Sequence, residues 1–203
     1  TIASNNGVLD AREIQKRIRH GEDIHWPRTA LICLENAHSN GKVIPLADMA
    51  AVWDVALHHK IPVHLDGARI FNAATYLGCD VRDITRYCDT VMCCLSKGLA
   101  APVGSILAGS ADFIRKARKN RKMLGGGMRQ LGVLAAPGIL ALTEMSRRLQ
   151  EDHDNARFLA TALQTLPGIK VDLDAVHINM VWFELPETVN GDLLMTALSA
   201  AGI

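Results

Sequence analysis

Between Val63 and Gly98 the chain twice runs from apolar to reactive. Pro62-Val63-His64-Leu65 breaks into Asp66-Gly67-Ala68-Arg69, and Val91-Met92-Cys93-Cys94-Leu95 breaks into Ser96-Lys97-Gly98. Apolar runs of this length, rich in β-formers and bounded by glycine, read as buried strands. Each therefore delivers a reactive group, an acid in one case and an amine in the other, to a strand's carboxyl end. In open parallel α/β sheets that edge is where ligands bind.

Outward from this stretch, strand and helix signals alternate. Thr29 to Leu34 reads as a strand. Leu46 to Lys60 follows as a helix, with Leu46, Met49, Ala50, Trp53, Ala56 and Leu57 on one stripe. A helix near Ala68, a short one from Asp80 and a strand over Ser105–Ala108 complete the pattern, which implies parallel pairing with right-handed crossovers. Ser110 is placed to cap a basic helix from Ala111 to Met123. After Gly125-Gly126-Gly127, a helical pattern runs from Met128 to Leu149, with a kink or interruption expected at Pro137. A further helix runs to about Leu166, Pro167-Gly168 is a turn, and Val171, Ile178–Glu184 and Leu193–Ala201 read as strand, strand and helix. The expected class is α/β: a mostly parallel sheet flanked by helices. Polarity rises at Gln150-Glu151-Asp152-His153-Asp154, where a domain change is expected. Residues 1–149 then form part of a large domain, and 150–203 the start of a smaller α+β domain.

A net charge of +1 over 203 residues, with signs well mixed, gives no electrostatic case for nucleic acid or a membrane surface. No apolar run is long enough to span a bilayer. Thr1-Ile2-Ala3-Ser4-Asn5-Asn6 lacks the charged-then-apolar order of a signal peptide. The chain has no opening Met and stops at Gly202-Ile203 after a helical pattern, so both ends read as truncations. Five cysteines, three of them in apolar runs, show no metal-like spacing and suit buried, reduced thiols in a reducing compartment, the cytoplasm or an organelle matrix.

The chemistry rests on two residues taken together. Lys97 at a half-buried strand end suits a Schiff-base former, although a lone Ser-Lys-Gly by itself better suits a snorkelling or helix-capping lysine. Asp66 suits the partner of a pyridine nitrogen, keeping it protonated so that the ring draws electrons from the substrate's α-carbon; it also suits a helix N-cap. Paired, they point to pyridoxal phosphate, which has both a basic ring nitrogen and an aldehyde. Arg69 can offer a bidentate fork to a substrate carboxylate or form a surface ion pair. The polar loop Glu35–Gly41 opens at the same edge, so Asn36 or His38 could touch the cofactor or substrate, and His25 is a candidate for a substrate hydroxyl. Lys122 and Arg129, flanking the triple glycine, suit a phosphate, but the segment is no nucleotide motif. His58-His59 and His64-x-Asp66 are too few or too divergent for metal catalysis.

Several segments, taken together, closely resemble the low-specificity L-threonine aldolases. These are Glu35-Asn36-Ala37-His38, His64 to Ala73, Cys94 to Leu99 with Ala101 to Ser105, Arg121 to Gln130, and Glu151-Asp152-His153-Asp154-Asn155-Ala156. The likeness covers nearly the whole chain. It implies a pyridoxal-phosphate enzyme of the aspartate-aminotransferase fold, built as a homodimer or homotetramer, that cleaves L-threonine or L-allo-threonine to glycine and acetaldehyde. Lys97 would be the Schiff-base lysine, with Ser96 beside it at the cofactor. Asp66 would partner the ring nitrogen, Arg69 would bind the substrate carboxylate, and Lys122 and Arg129 would lie near the phosphate or an adjoining subunit's site. His25 is the closest match for a histidine at the β-hydroxyl, with His38 the other candidate. The family's phosphate cup, its ring-stacking histidine and a further arginine lie in segments absent here. The rival readings are a β-eliminating lyase of the same fold, a catalytically incomplete fragment or isoform, and, weakly, a nicotinamide-binding protein lacking the glycine fingerprint.

Overall fold

The computed structural model describes residues 2, 7–21 and 24–203. Apart from Ile2, the opening residues 1–6 therefore lie outside the described residues. A four-stranded sheet organises the chain: β1 (Ile32–Glu35), β2 (Val63–Asp66), β3 (Thr90–Cys94) and β4 (Ser105–Ala108), in that spatial order. β1, β2 and β3 are parallel, and β4 closes the row antiparallel to β3. The mostly parallel sheet is as expected; the reversed last strand follows because only a tight connection, not a helix, separates β3 from β4.

The crossovers are helical. α1 (Ala11–Arg17), which carries no strong periodic signal in the sequence, starts where Asp10 accepts from the Arg12 N–H. α2 (Leu46–His59) joins β1 to β2, while α3 (Ile70–Leu77) and α4 (Val81–Thr85) join β2 to β3. Asp80 and Asp83 close a reciprocal capping box at the start of α4. The main core packs Ile32, Leu34, Val63 and Leu65 of the sheet against Met49, Val52 and Ala56 of α2 and Ile70, Ala73 and Ala74 of α3. The buried stripe of α2 is thus centred on Val52, and Leu57 points out to solvent.

Three boundaries differ from the sequence pattern. β1 begins at Ile32 rather than Thr29, because Thr29 is paired away: its N–H donates to the Arg19 carbonyl and its hydroxyl accepts from the Arg19 N–H. α5 (Ala111–Met123) is capped by Ser110 as expected, but the next helix, α6 (Gly132–Thr143), starts only after Gly125 and Gln130, both at positive φ. α6 contains Pro137 and ends where the Thr143 and Ser146 hydroxyls donate back to the Ile139 and Leu142 carbonyls, a competition that bends and ends helices. A short 3-10 turn (Met145–Arg147) then leads into α7 (Leu149–Gln164).

Beyond α7, β5 (Lys170–Val171) and β6 (Phe183–Glu184) form a small antiparallel pair, followed by α8 (Gly191–Ala200). The expected strand from Ile178 is only these last two residues. Its first part is taken by the core: Ile178 is fully buried there, and the His177 ring accepts from the Val43 N–H at 3.0 Å.

Candidate active site

Register sets the carboxyl edge of the sheet. Glu35 on β1 pairs with Asp66 on β2, and Asp66 pairs with Met92 on β3. Neighbouring strands lie about 4.8 Å apart, so the corners they open into are adjacent. At the β2 corner the Gly67 N–H donates to the Met92 carbonyl at 2.9 Å. A Cβ on Gly67 would stand 2.8 Å from that same oxygen, so the close approach of the two corners requires glycine. One Asp66 oxygen accepts from the Ala68 N–H at 3.0 Å. The helix itself starts at Ile70 behind Arg69, so Asp66 braces the turn without capping α3. Among the described residues its second oxygen has no partner, and Asp66 is exposed.

The β3 corner is a turn held from inside and open outside. Leu95, Leu99 and Ala101 are buried with Ala141 of α6 and Leu149 of α7, while Ser96 and Lys97 are exposed. The Leu95 N–H donates to Gly104, the Ala101 N–H to Leu95 and the Ala100 N–H to Lys97, at 2.9 to 3.0 Å. This alternation projects the Lys97 amine outward. Sequence reading placed Lys97 at a half-buried strand end; it stands instead on an exposed turn beyond the strand, because the apolar positions of the turn are the neighbours of Lys97 rather than Lys97 itself. Among the described residues, Asp66, Arg69 and Lys97 enter no ion pair. The edge therefore presents an uncommitted amine, carboxylate and guanidinium together, and that donor set fits a cofactor needing an amine link and an anionic partner for a ring nitrogen.

The remaining candidates separate. His38 lies in the loop after β1 at the same edge, 3.7 Å from the Glu35 carboxylate, with its ring against Gly7. Asn36 is corrected: it is fully buried, its amide donating to the Ile44 carbonyl and accepting from the Ile44 N–H, both at 3.1 Å, so it shapes the loop and faces no ligand. His25 is exposed on a loop that leads into the amino end of β1, so the sheet's register does not bring it to the others. Lys122, at the end of α5, turns back toward the Gly127 carbonyl at 3.5 Å, and Arg129 is exposed in the glycine loop. Neither stands on an element of the carboxyl edge.

Two buried polar residues went unrecognised in the sequence. Asn72 of α3 and His153 of α7 meet at 3.2 Å, and Asn72 also donates to Asn179 at 3.4 Å. An amide nitrogen can only donate, so the imidazole accepts through Nε2 and carries its proton on Nδ1. Burial holds His153 below the ordinary histidine range, which suits that neutral form. Asn72 falls on the buried side of α3 among alanines, where an amide signals a partner; only the fold names it.

Comparison with known proteins follows the same lines. The profile of the beta-eliminating lyase family matches residues 1–186. The low-specificity L-threonine aldolase of Escherichia coli is 49% identical over 162 residues, covering 80% of this chain and 48% of that protein. A candidate L-allo-threonine aldolase of Listeria monocytogenes shares the fold with a TM-score of 0.77 at 22% identity, over 90% of this chain and 49% of the other. A PLP-dependent aminotransferase of Streptococcus suis shares it at 0.67 and 16%, over 97% and 52%. The chain spans about half the length of the curated relatives it matches.

Proposed function

The chain belongs to the beta-eliminating lyase family, and we propose that the protein is a pyridoxal-phosphate-dependent carbon–carbon lyase cleaving L-threonine or L-allo-threonine to glycine and acetaldehyde. The observation that carries this reading is the uncommitted pair Asp66 and Lys97 at adjoining corners of one sheet edge, next to Arg69. The likeness to low-specificity threonine aldolases supports the choice of substrate.

When bound, pyridoxal phosphate supplies an aldehyde for a Schiff link and a cationic ring that accepts the electron pair of a broken bond at the α-carbon. The rest falls to this chain. The Lys97 amine would hold the cofactor, would take up a proton from the incoming substrate ammonium and would return one to the α-carbon as product leaves. The open Asp66 oxygen would face the ring nitrogen and would keep its proton in place. Arg69 would grip the substrate carboxylate with a bidentate fork, and Ser96 would lie against the cofactor beside Lys97. His38, at this edge, or His25, if its loop before β1 reaches the site in the assembled protein, would take the β-hydroxyl proton as acetaldehyde departs. Lys122 and Arg129 are assigned to the phosphate or to a neighbouring subunit's site.

The proposal extends to a homodimer or homotetramer, with residues 1–149 in the large domain and 150–203 opening the smaller one. A cytoplasmic location is proposed from five unpaired cysteines. No helix among the described residues is long and apolar enough to cross a membrane.

The test is acetaldehyde release from L-threonine by the complete protein, with Lys97→Ala as control. The variant should lose both the activity and the visible Schiff-base absorbance; an intact band would overturn the assignment. β-Elimination is the second reading, favoured by the family's own description. Pyruvate and ammonia in place of acetaldehyde would establish it.

A further inference from the structure

Gly98, immediately after the cofactor lysine of the proposed function on which this inference rests, is in contact with two helices at once. A Cβ built on it would stand 3.0 Å from Leu149 Cδ2 of α7 and 3.2 Å from Asn72 Oδ1 of α3. Asn72 is the same residue whose amide donates to His153 Nε2 on α7 at 3.2 Å and to Asn179 Oδ1 at 3.4 Å. It also stands six positions after Asp66 and three after Arg69, on the helix those two residues lead into. One buried amide therefore touches the back of the Lys97 turn, is tied to α7, and rides on the element that carries the acid and the guanidinium.

We propose that Asn72 and His153 are positioning residues: the hydrogen-bonded pair pins the Lys97 turn to α3 and so fixes the amine relative to Asp66 and Arg69. The geometry has three supports. Both side chains are buried, at 3% and 8% exposure, so the bond is shielded from competing water. Among the described residues the two side chains bond to each other and to Asn179 and not to Lys97, while the Asn72 amide lies beside Gly98, so their effect passes through the turn. The small cluster of Leu95, Leu99, Ala101, Ala141 and Leu149 holds the turn from the α6 and α7 side but has no polar directionality. The Asn72–His153 bond, with fixed donor and acceptor, supplies it. The segment Glu151–Ala156 accordingly has a role, in that His153 faces inward under the lysine's corner.

The experiment uses the complete protein and its Asn72→Ala, His153→Leu, His153→Gln and Gly98→Ala variants. The first readout is the rate at which the cofactor-free protein's lysine captures added pyridoxal phosphate, followed by visible absorbance. The second is the split of kcat against KM, with circular dichroism and Tm as folding controls. Misplacing a reacting group by about 1 Å can cost about 100-fold, so Asn72→Ala and His153→Leu should lower capture rate and kcat about 10- to 100-fold. KM should change little. His153→Gln keeps an acceptor for the Asn72 amide and should restore most of both rates, which packing alone would not do. Gly98→Ala places a Cβ 3.2 Å from Asn72 Oδ1 and should slow capture by pressing the turn and the pair apart.

Unaltered capture and kcat in Asn72→Ala and His153→Leu, with Tm alone lowered, would overturn the positioning role and leave the lyase reading intact. The same holds if His153→Gln behaves like His153→Leu. A wild-type protein that captures no cofactor would overturn the lyase reading and this inference together.

Discussion

Ala100 holds φ at +57°, a left-handed backbone in the turn that closes on the Lys97 carbonyl. A Cβ there costs about 1–2 kcal/mol, and glycine returns about 0.5–1 kcal/mol of that through its freer unfolded state. Ala100→Gly is therefore expected to be neutral or to stabilise by up to about 1 kcal/mol, read by urea denaturation. The cysteines separate by environment as well. Cys33, placed by sequence in a buried run, is exposed on the outer face of β1, because alternate residues of a strand face opposite ways. Burial and the neighbouring Asp89 push the Cys88 thiol up to about 11. At pH 8 only about a thousandth of Cys88 is thiolate. Iodoacetamide should mark Cys33 early and Cys88 last, as peptide mass mapping would show. At this scale the breaks at Asp66 and Lys97 after apolar strands were legible, because reactive residues interrupt those runs; their roles are the proposal. Asn36 was misread because polarity in a loop does not say which way an amide turns.

At the scale of elements, burial decides stability. Leu65 on β2 is fully buried, with Leu34 of β1 and Val91 of β3 as its register partners, so Leu65→Ala should cost about 2–5 kcal/mol. Ile106 on the exposed β4 should cost less than half as much when cut to alanine. The α3–α7 contact makes stability pH-dependent. Burial lowers the folded-state pKa of His153 beneath its unfolded value of about 6.5. The unfolded chain then binds the proton more readily, so stability is full above that pH and is lost as pH falls below it. Denaturation midpoints should drop on acidification, and less steeply in His153→Gln. A remaining slope is expected from His177, lowered mainly by burial, and His59, lowered by burial and by His20 and His58. The Ser110 cap and the span of α5 were legible because capping and charge are local. The late start of α6 was not, since the positive φ at Gln130 is not encoded by glutamine.

Across the whole molecule, apolar surface is left uncovered. Val133, Ile139 and Leu140 of α6 are each more than half exposed, as are Met123 and Leu124 at the end of α5. Large apolar patches on a surface mark interaction faces, and these residues are the exposed apolar side chains from which one would be built. Residues 1–203 expressed alone should bind the dye ANS and elute above monomer size, and Val133→Lys with Ile139→Lys should reduce both. By itself the sequence determined the strand–helix alternation, the mostly parallel sheet and the delivery of Asp66 to a strand's carboxyl end, because hydrophobic period and glycine breaks act over a few residues. The antiparallel turn of β4, the capture of Ile178 by the first core, and the meeting of Asn72 with His153 eighty-one positions away were decided only by the tertiary structure. Each depends on which surfaces pack together, and packing joins residues that no local pattern relates.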